Sequence, residues 1–356
     1  MTQLDALKLT DSIRNRLVDF AVDDNFVKST ELSQIARDIW SGPPDQGGLV
    51  GDIWVEGAFP SKTSTQTLDT NVSSGEFDAD LRDVLDDVSA MPKDRLLYTH
   101  QLESIRLTQS YAPGTRPAIV ATAGTGAGKT ESFLLPILND LYRNPPTNRR
   151  GGTRCIMLYP MNALVNDQTD RLYSWLHAQA RVTLFHFTSE TPEDHKSASR
   201  QGIKPWRPCR MRTRQEARGL ESRDGKPVQG GPTPDIIITN YSMLEYMLCR
   251  PQDSVFFGPE LRAIVLDEAH LYSGTLAAEI TLLLRRLLIR CGRDPDDVLQ
   301  FATSATLGTG DQNELRSFAS QVFNKSNQLV HLVVGEAART ELFSESPRSP
   351  SQILLL

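Results

Sequence analysis

A glycine-rich segment in the first half of the chain has the composition of a phosphate-binding loop, and it reads Ala123-Gly124-Thr125-Gly126-Ala127-Gly128-Lys129-Thr130. Glycines allow the backbone to approach an anion closely, so that successive N–H groups and the start of the following helix point at the phosphates. In such a loop Lys129 would reach the β- and γ-phosphates, and the hydroxyl of Thr130 would be a ligand of Mg²⁺. Ala123 stands where the usual pattern has its first glycine. The segment predicts a site for a triphosphate, with a chance flexible loop as the alternative.

A second, acidic segment supplies the chemistry that such a loop needs. The apolar run at 261–266, which we expect to be a buried strand, is followed by Asp267-Glu268-Ala269-His270. A carboxylate at the end of a strand can hold Mg²⁺ through water, because this ion gives up its hydration shell reluctantly. Asp267 is therefore the expected metal anchor, and Glu268 is placed to orient and polarise the water that attacks the γ-phosphate. Without the upstream loop, the same two acids would indicate a solvated turn or the start of a helix.

Further segments, in the same order along the chain, resemble those of the N-terminal RecA-like domain of superfamily-two DEAD/DEAH-box helicases. They lie between about Leu96 and Gly335, and they read Tyr98-Thr99-His100-Gln101, Leu158-Tyr159-Pro160-Met161-Asn162-Ala163-Leu164, Ile236-Ile237-Ile238-Thr239-Asn240 and Phe301-Ala302-Thr303-Ser304-Ala305-Thr306. Each segment alone is a weak signal, but their common order and spacing make a strong one. The resemblance implies ATP and Mg²⁺ as cofactors and a nucleic acid as partner.

The resemblance also implies roles for individual side chains. Gln101 would read the adenine edge, with a capping or surface residue as the alternative, and Tyr98 would stack on the base, with core packing as the alternative. His270 would couple the metal site to Ser304 and Thr306, with simple packing as the alternative. Main-chain N–H groups and small polar side chains commonly contact a nucleic-acid backbone. The residues expected to make such contacts are Pro160, Asn162, Thr239 and Asn240. The alternative is that they are ordinary strand-to-helix caps.

The distribution of apolar residues predicts an α/β fold. Continuous apolar runs, which predict six strands, lie at 117–122, 154–159, 182–186, 235–239, 261–266 and 298–303. Helical segments such as Asn162–Leu176 and Leu276–Leu288 separate them, which favours a parallel sheet covered by helices on both faces. Ligands of such sheets bind beyond the carboxyl ends of the strands. We therefore expect Lys129, Asp267 and Ser304 to converge there.

Composition limits the class of protein. The chain has 356 residues with 39% hydrophobic content, which is enough for a full core and for more than one structural unit. No apolar stretch approaches the length that spans a bilayer, and the segment Met1–Arg16 is too polar for a signal peptide. The four cysteines are widely spaced and form no Cys-x-x-Cys pair, which argues against a zinc site. We expect a protein of the reducing cytoplasm with no membrane partner.

The net charge of −6 hides a strongly basic segment at about 195–230. This segment interrupts the predicted strand order, and we interpret it as an insertion into the domain. Arg210, Arg212 and Arg214 are expected to contact phosphates, and Trp206 would stack on a base. A disordered, solvated loop is an equally good interpretation of the same composition.

The regions on either side of the helicase-like segment are less informative. Residues 1–95 contain two helix-like stretches, Asp11–Phe20 and Ser29–Trp40, and we expect a mostly helical N-terminal accessory region. The RecA-like ATP-binding domain is expected to extend over 96–340. The polar, proline-containing residues 341–356 are expected to be a linker or a truncated end.

The resemblance also predicts what the chain lacks. Superfamily-two helicases close ATP between two RecA-like domains, and the second domain brings arginines worth about three to five orders of magnitude in rate. We find no second such domain after Gly335. The chain is thus expected to be a fragment of a longer helicase, or a natural protein that has lost its partner domain. A second RecA-like domain, in cis or in trans, is an expected partner, and without it we expect modest ATP affinity and very slow hydrolysis.

The function predicted from the sequence is therefore the ATP-binding and hydrolysing half of a nucleic-acid helicase or translocase. The segment Tyr159–Gln168 is similar to that of large bacterial helicases, some of them associated with phage defence and DNA repair, which favours DNA over RNA. Proteins of a defence or repair complex are further expected partners. Two alternatives remain: a nucleic-acid-binding module without ATP turnover, and another P-loop ATPase that remodels a partner.

Overall fold

The structure, a computed structural model, describes residues 6–26, 29–43, 46–49, 60–112, 114–124, 126–203, 208–272, 274–304 and 312–338. Four of the sequence predictions lie outside these ranges, namely those on Thr125, Trp206, Thr306 and residues 341–356. The chain forms two compact units, Met1–Phe59 and Pro60–Leu356. The boundary between the units lies between Phe59 and Pro60, whereas the accessory region expected from the sequence extends to residue 95. Residues 60–95 belong to the larger unit.

The smaller unit contains two helices, in agreement with the two stretches expected from the sequence. Helix α1 is Ala6–Phe26 and helix α2 is Thr30–Trp40. The side chain of Ser29 caps α2 by accepting a hydrogen bond from the N–H group of Leu32. A small apolar cluster joins the two helices, and it consists of Val18, Val22 and Ala36 with Trp40 packed against them.

The larger unit is built on a seven-stranded parallel sheet, as the apolar runs predict. Its strands are β3 (Ala118–Thr122), β4 (Cys155–Tyr159), β5 (Leu184–Phe187), β6 (Ile236–Asn240), β7 (Ala263–Leu266), β8 (Leu299–Ser304) and β9 (Val330–Val334). They lie in the order β5-β6-β4-β7-β8-β3-β9. The six expected strands are all present, and β9 is an addition at one edge.

Helices cover both faces of this sheet. They are α5 (Thr99–Gln109), α6 (Glu131–Arg143), α7 (Asn162–Leu176), α10 (Tyr241–Cys249), α11 (Thr275–Cys291) and α12 (Gln312–Phe323). Cys155 and Met157 of β4 pack into one core with Phe133 of α6, whereas the alternating residues Ile156 and Leu158 pack into a second core with helices α10 to α12. The two-sided burial explains why the strand sequences are continuously apolar.

Residues 60–95 are an integral part of the larger unit. They form strand β1 (Thr63–Thr67), helix α3 (Leu68–Ser73) and helix α4 (Ala79–Asp87), and β1 pairs in antiparallel fashion with strand β2 (Leu96–Tyr98). Leu68, Leu81 and Leu85 are fully buried in the core that also contains Phe133. Strand β2 leads directly into α5, so its pairing with β1 fixes the position of Tyr98.

The basic insertion is folded over its described residues. It contains two short helices, α8 (His195–Arg200) and α9 (Arg214–Ala217), and Arg210 forms an isolated bridge beside β5 at the edge of the sheet. The solvated-loop interpretation therefore does not hold for this part. Among the described residues, no helix combines the length and the apolar composition that crossing a bilayer requires.

Candidate functional site

The phosphate-binding loop connects β3 to α6 at the carboxyl edge of the sheet. Gly126 and Gly128 have φ values of +75° and +73°, a region that residues with a side chain rarely adopt. A Cβ atom on Gly128 would lie 2.4 Å from Nε2 of Gln101, whereas one on Gly124 would meet nothing within 4 Å. Glycine is thus required at 128 by conformation and by space, and the backbone at 124 faces an open hollow.

This hollow is a cavity of about 400 Å³ beside the loop. Its walls come from the loop, from the segment before α5, from α7 and from the residue after Asp267, and they are Arg95, Tyr98, Gly124, Gly126, Gly128, Lys129, Thr130, Glu131, Arg171 and Glu268. Ala127, which belongs to the same loop, accepts a hydrogen bond from the hydroxyl of Ser61 through its carbonyl group. The predicted loop and Glu268, the second acid of the predicted pair, therefore share one cavity.

The lysine of the loop contacts the second acid of the pair. Nζ of Lys129 lies 3.5 Å from Oε1 of Glu268, and both side chains are largely shielded from solvent. Glu268 follows β7 and has a left-handed backbone, with φ of 52°. The contact brings the ammonium group that would bind phosphate next to the carboxylate that would orient water.

Asp267, the expected metal anchor, is buried at the end of β7 with 7% of its surface exposed. Burial raises the pKa of its carboxyl group, and a hydrogen bond from the hydroxyl of Thr303 acts in the opposite direction. The neighbouring ammonium group of Lys129 also favours the charged form. The carboxylate is thus held in place and partly compensated by the protein.

The oxygen atoms around the cavity fit a magnesium ion. Mg²⁺ prefers oxygen ligands, keeps several waters, and is usually held by one or two protein groups together with substrate phosphates. Thr130 supplies a hydroxyl on the cavity wall, and Asp267 supplies a carboxylate beside Glu268. These two residues are the ones that would hold the ion.

Gln101 and Tyr98 lie where the segment before α5 meets the loop. The side-chain oxygen of Gln101 accepts from the N–H group of Tyr98 at 3.0 Å, and its amide nitrogen donates to the carbonyl group of Gly128 at 3.2 Å. Gln101 thus caps α5 and ties it to the loop, while adenine recognition stays a prediction. Tyr98 lines the cavity and stacks on the ring of His100 at 5.6 Å.

The residues expected to couple hydrolysis to movement lie at the ends of β7 and β8. Ser304 is buried at the end of β8, beside Thr122 of β3. His270 belongs to a short 3₁₀ helix, Ala269–Leu271, directly after the acidic pair. Strand β8 lies between β7 and β3, so Ser304 is next to both the loop and the acidic pair.

The four residues expected to contact a nucleic-acid backbone lie at the carboxyl ends of β4 and β6, which are adjacent strands: Pro160 and Asn162 follow β4, and Thr239 and Asn240 end β6. The side chain of Asn240 donates to the side chain of Asn162 at 2.6 Å and also caps α10. Pro160, half-buried, follows β4 at the same edge. Thr239 differs from the others: it is fully buried and its hydroxyl donates to the carbonyl group of Phe187 at 2.6 Å. Its side chain therefore supports the sheet, and its contact with a nucleic acid stays a prediction.

The three arginines of the insertion that are expected to contact phosphates have partners within the protein. Arg210 and Arg212 are buried, with 7% and 5% of their surface exposed, and Arg214 is half-buried. Their partners within the protein are Asp170 and Tyr173 for Arg210, Ile203 and His195 for Arg212, and Thr188 and Phe187 for Arg214. A phosphate contact would break these interactions, and an unpaired buried charge is costly. In this arrangement the arginines hold the insertion on the sheet, and phosphate contact by them stays a prediction.

Sequence reasoning missed several side chains around the cavity. The guanidinium carbon of Arg95 lies 5.6 Å from the ring centroid of Tyr98. Nη1 of Arg171 lies 3.4 Å from Oε1 of Glu131, at the start of α6. Arg95 lies three residues before Tyr98, so its proximity to a predicted site residue could have identified it. Arg171 lies in the middle of a helix, and no local pattern distinguishes it from a solvated arginine.

Comparison with known proteins gives a consistent result. A model of the DEAD/DEAH box helicase family matches residues 98–315. The Druantia protein DruE of Escherichia coli is 30% identical over an alignment that covers 61% of this chain and 16% of that protein. The ATP-dependent helicase MJ1574 of Methanocaldococcus jannaschii is 22% identical over 71% of this chain and 31% of that protein. The chain thus spans less than a third of the length of either relative.

Solved structures show the same fold. The DUF1998 helicase MrfA bound to DNA is similar with a TM-score of 0.52 and 22% identity, over 78% of this chain and 31% of that chain. The DEAD-box helicase Mss116, bound to single-stranded RNA and UDP-BeF, has a TM-score of 0.54 and 17% identity, over 79% of this chain and 47% of that chain. At this level of identity the likeness concerns the fold.

Proposed function

Because the chain belongs to the DEAD/DEAH box helicase family, we propose that it is the ATP-binding and ATP-hydrolysing part of a nucleic-acid helicase or translocase. The observation that carries the proposal is the contact between Lys129 and Glu268 at 3.5 Å, on the wall of a cavity lined by glycines of the loop. An ammonium group, backbone N–H groups and a carboxylate in one cavity are the groups that phosphoryl transfer to water requires.

In the proposed mechanism, Lys129 leaves Glu268 to bind the β- and γ-phosphates, together with the N–H groups of the loop. Glu268, freed from the ammonium group, then accepts a hydrogen bond from the attacking water and orients it. Magnesium, held by Thr130 and Asp267, would neutralise charge on the phosphate oxygens. The left-handed backbone of Glu268 turns its side chain toward the cavity wall on which Lys129 lies.

The proposed nucleic-acid partner is DNA, and its contacts are proposed at the carboxyl edge of β4 and β6. The paired side chains of Asn162 and Asn240, with Pro160 beside them, support this location. The fold is shared with MrfA, which was solved with DNA, and with Mss116, which was solved with single-stranded RNA, so the choice of DNA rests on the similarity of the segment Tyr159–Gln168 to large bacterial helicases of defence and repair. We also propose a cytoplasmic role in phage defence or DNA repair, within a complex of further proteins.

A second RecA-like domain, in cis or in trans, is proposed for full turnover. The relatives are much longer than this chain, which supports the presence of further domains in the working enzyme. The chain alone is then expected to bind ATP and to hydrolyse it slowly. A turnover rate on this chain alone that equals that of a two-domain helicase would contradict this part of the proposal.

The test is ATP hydrolysis by this chain together with its proposed second RecA-like domain, measured without nucleic acid, with single-stranded DNA, and with single-stranded RNA of the same sequence. Stimulation by DNA above that by RNA is the expected result. Hydrolysis that neither strand changes would favour an ATPase that remodels a protein partner. DNA binding with no ATP binding, unchanged in Lys129→Ala, would favour a nucleic-acid-binding module.

A further inference from the structure

Thr303 occupies a position between the two acids of the nucleotide site. It is the fifth residue of β8 and is fully buried. Its hydroxyl group donates to Oδ1 of Asp267 and accepts from the N–H group of Glu268 at 3.0 Å. A single side chain on the neighbouring strand is thus bonded to both members of the acidic pair.

The register of the sheet explains this arrangement. Leu266, the last residue of β7, lies opposite Ala302 of β8. Asp267 follows Leu266, and Thr303 follows Ala302. These two residues therefore lie side by side just beyond the last regular pair of β7 and β8. The N–H group of Asp267 still bonds to Leu158 of β4 on the other side, whereas the N–H group of Glu268 bonds to the hydroxyl of Thr303.

These two hydrogen bonds act on two different degrees of freedom. A carboxylate with one oxygen held by a buried hydroxyl has its rotation restricted, so the orientation of Asp267 is set from β8. The left-handed region is unfavourable for a non-glycine residue such as Glu268, and such a conformation persists when its surroundings fix it. The acceptor that Thr303 provides for the N–H group of Glu268 helps to fix this turn, from which the side chain of Glu268 reaches Lys129.

We propose that Thr303 is a positioning residue that sets the orientation of the metal-binding carboxylate of Asp267 and of the water-orienting carboxylate of Glu268 at the same time. The inference rests on the proposed function of that site. It adds to the site a residue that lies on another strand, far from the two acids in the sequence. Hydrogen-bonding partners of metal ligands typically contribute about 10- to 100-fold to metal affinity or activity. The same range is expected for the loss of the Thr303 hydroxyl.

The experiment compares Thr303→Val, which keeps the shape and removes the hydroxyl, with Thr303→Ser, which keeps the hydroxyl. Binding of a fluorescent ATP analogue is titrated at increasing Mg²⁺ concentration and again with the metal removed, and thermal unfolding is followed in parallel. Thr303→Val is expected to need about 10- to 100-fold more Mg²⁺ for half-maximal binding, with unchanged metal-free affinity. Thr303→Ser is expected to stay close to the wild type. Single-turnover hydrolysis at saturating Mg²⁺ should fall for Thr303→Val alone.

The outcomes separate this inference from the proposed function. A wild-type chain that binds no nucleotide, or binds it equally with and without Mg²⁺, would overturn the proposed function itself. A wild type that responds to Mg²⁺, together with a Thr303→Val variant that is only less stable and needs the same Mg²⁺, would overturn the positioning role alone. Should Thr303→Val not fold, Thr303→Cys, with a similar volume and a weaker donor, is subject to the same comparison.

Discussion

The ammonium group of Lys129 and the carboxylate of Glu268 lie 3.5 Å apart, although they follow strands β3 and β7, which are not neighbours in the sheet. Strand β8 lies between them, so the contact crosses the end of a strand. The phosphate-binding loop and the acidic pair therefore form one site, as the order of the parallel strands requires. Each group is also the partner that the other must leave when a triphosphate binds.

Glu268→Gln separates binding from hydrolysis. The amide cannot accept a proton from water, so the hydrolysis rate is expected to fall by about 10²- to 10⁴-fold, the usual contribution of a positioned base. ATP affinity is expected to be equal or higher, because Lys129 loses a competing carboxylate. Single-turnover hydrolysis and an ATP titration measure the two quantities. A rate within a few-fold of the wild type would show that another group orients the water.

Gln101→Leu tests the bond between α5 and the loop. The change removes two buried hydrogen bonds, to Tyr98 and to Gly128, and is expected to lower the free energy of unfolding by about 1–3 kcal/mol. Gln101→Glu is the partial variant, since it keeps the acceptor for Tyr98 but replaces the donor to Gly128 with a carboxylate oxygen. Denaturant unfolding and ATP titration of both variants measure the two effects. A loss of ATP affinity in both variants is expected, because both release the loop, and an unchanged affinity would count against this role of Gln101.

Arg218→Ala tests whether the insertion is held by buried charge. The guanidinium group of Arg218 is buried and donates to Asp253, which is fully buried, and it also pairs with Glu193. Removal of one partner of such a pair typically costs about 3–5 kcal/mol of stability. Arg200→Ala, at an exposed position of the same insertion, is the control and is expected to change stability by at most about 0.5 kcal/mol. Equal effects of the two changes in denaturant unfolding would contradict the buried arrangement.

His186 gives the stability a defined pH dependence. Burial, and then the neighbouring charge of Arg210, lowers the pKa of His186 from 6.5 to about 4. The unfolded chain therefore binds more protons than the folded chain between these values, and stability is lost as the pH falls from about 6.5 to about 4. His186→Gln has no titratable side chain at this position. Between pH 6.5 and about 4 it is therefore expected to lose less free energy of unfolding than the wild type, by on the order of 3 kcal/mol. Unfolding of both forms at several pH values measures it, and parallel slopes would contradict the prediction.

The sheet is the part that the sequence predicts well, and the loop and Glu268 lie at one cavity, as their positions after parallel strands suggest. Both depend on local patterns: apolar runs such as 261–266 are buried on two faces, and the glycine loop must wrap an anion. Strand β1, with the sequence Thr63-Ser64-Thr65-Gln66-Thr67, has no apolar signal and is held by pairing with β2, so no such pattern could reveal it.

The role of the insertion could not be predicted for a different reason. A cluster of arginines has the same composition whether it faces phosphate or is buried against acids. The partner of Arg210 is Asp170, and that of Arg218 is Asp253, each distant in the sequence. Only the three-dimensional arrangement distinguishes the two cases. The same holds for Thr303, which becomes a partner of Asp267 through the register of β7 and β8.

The most direct test of the nucleotide site is a titration of the chain with a fluorescent ATP analogue in the presence of Mg²⁺. Lys129→Ala removes a charged group that would bind the phosphates, and Lys226→Ala, at an exposed position of the insertion, is the matched control. A charge-assisted hydrogen bond contributes about 1.5–3 kcal/mol, so Lys129→Ala is expected to bind at least about tenfold more weakly, and Lys226→Ala is expected to match the wild type. Equal affinity of the wild type and Lys129→Ala would contradict the site.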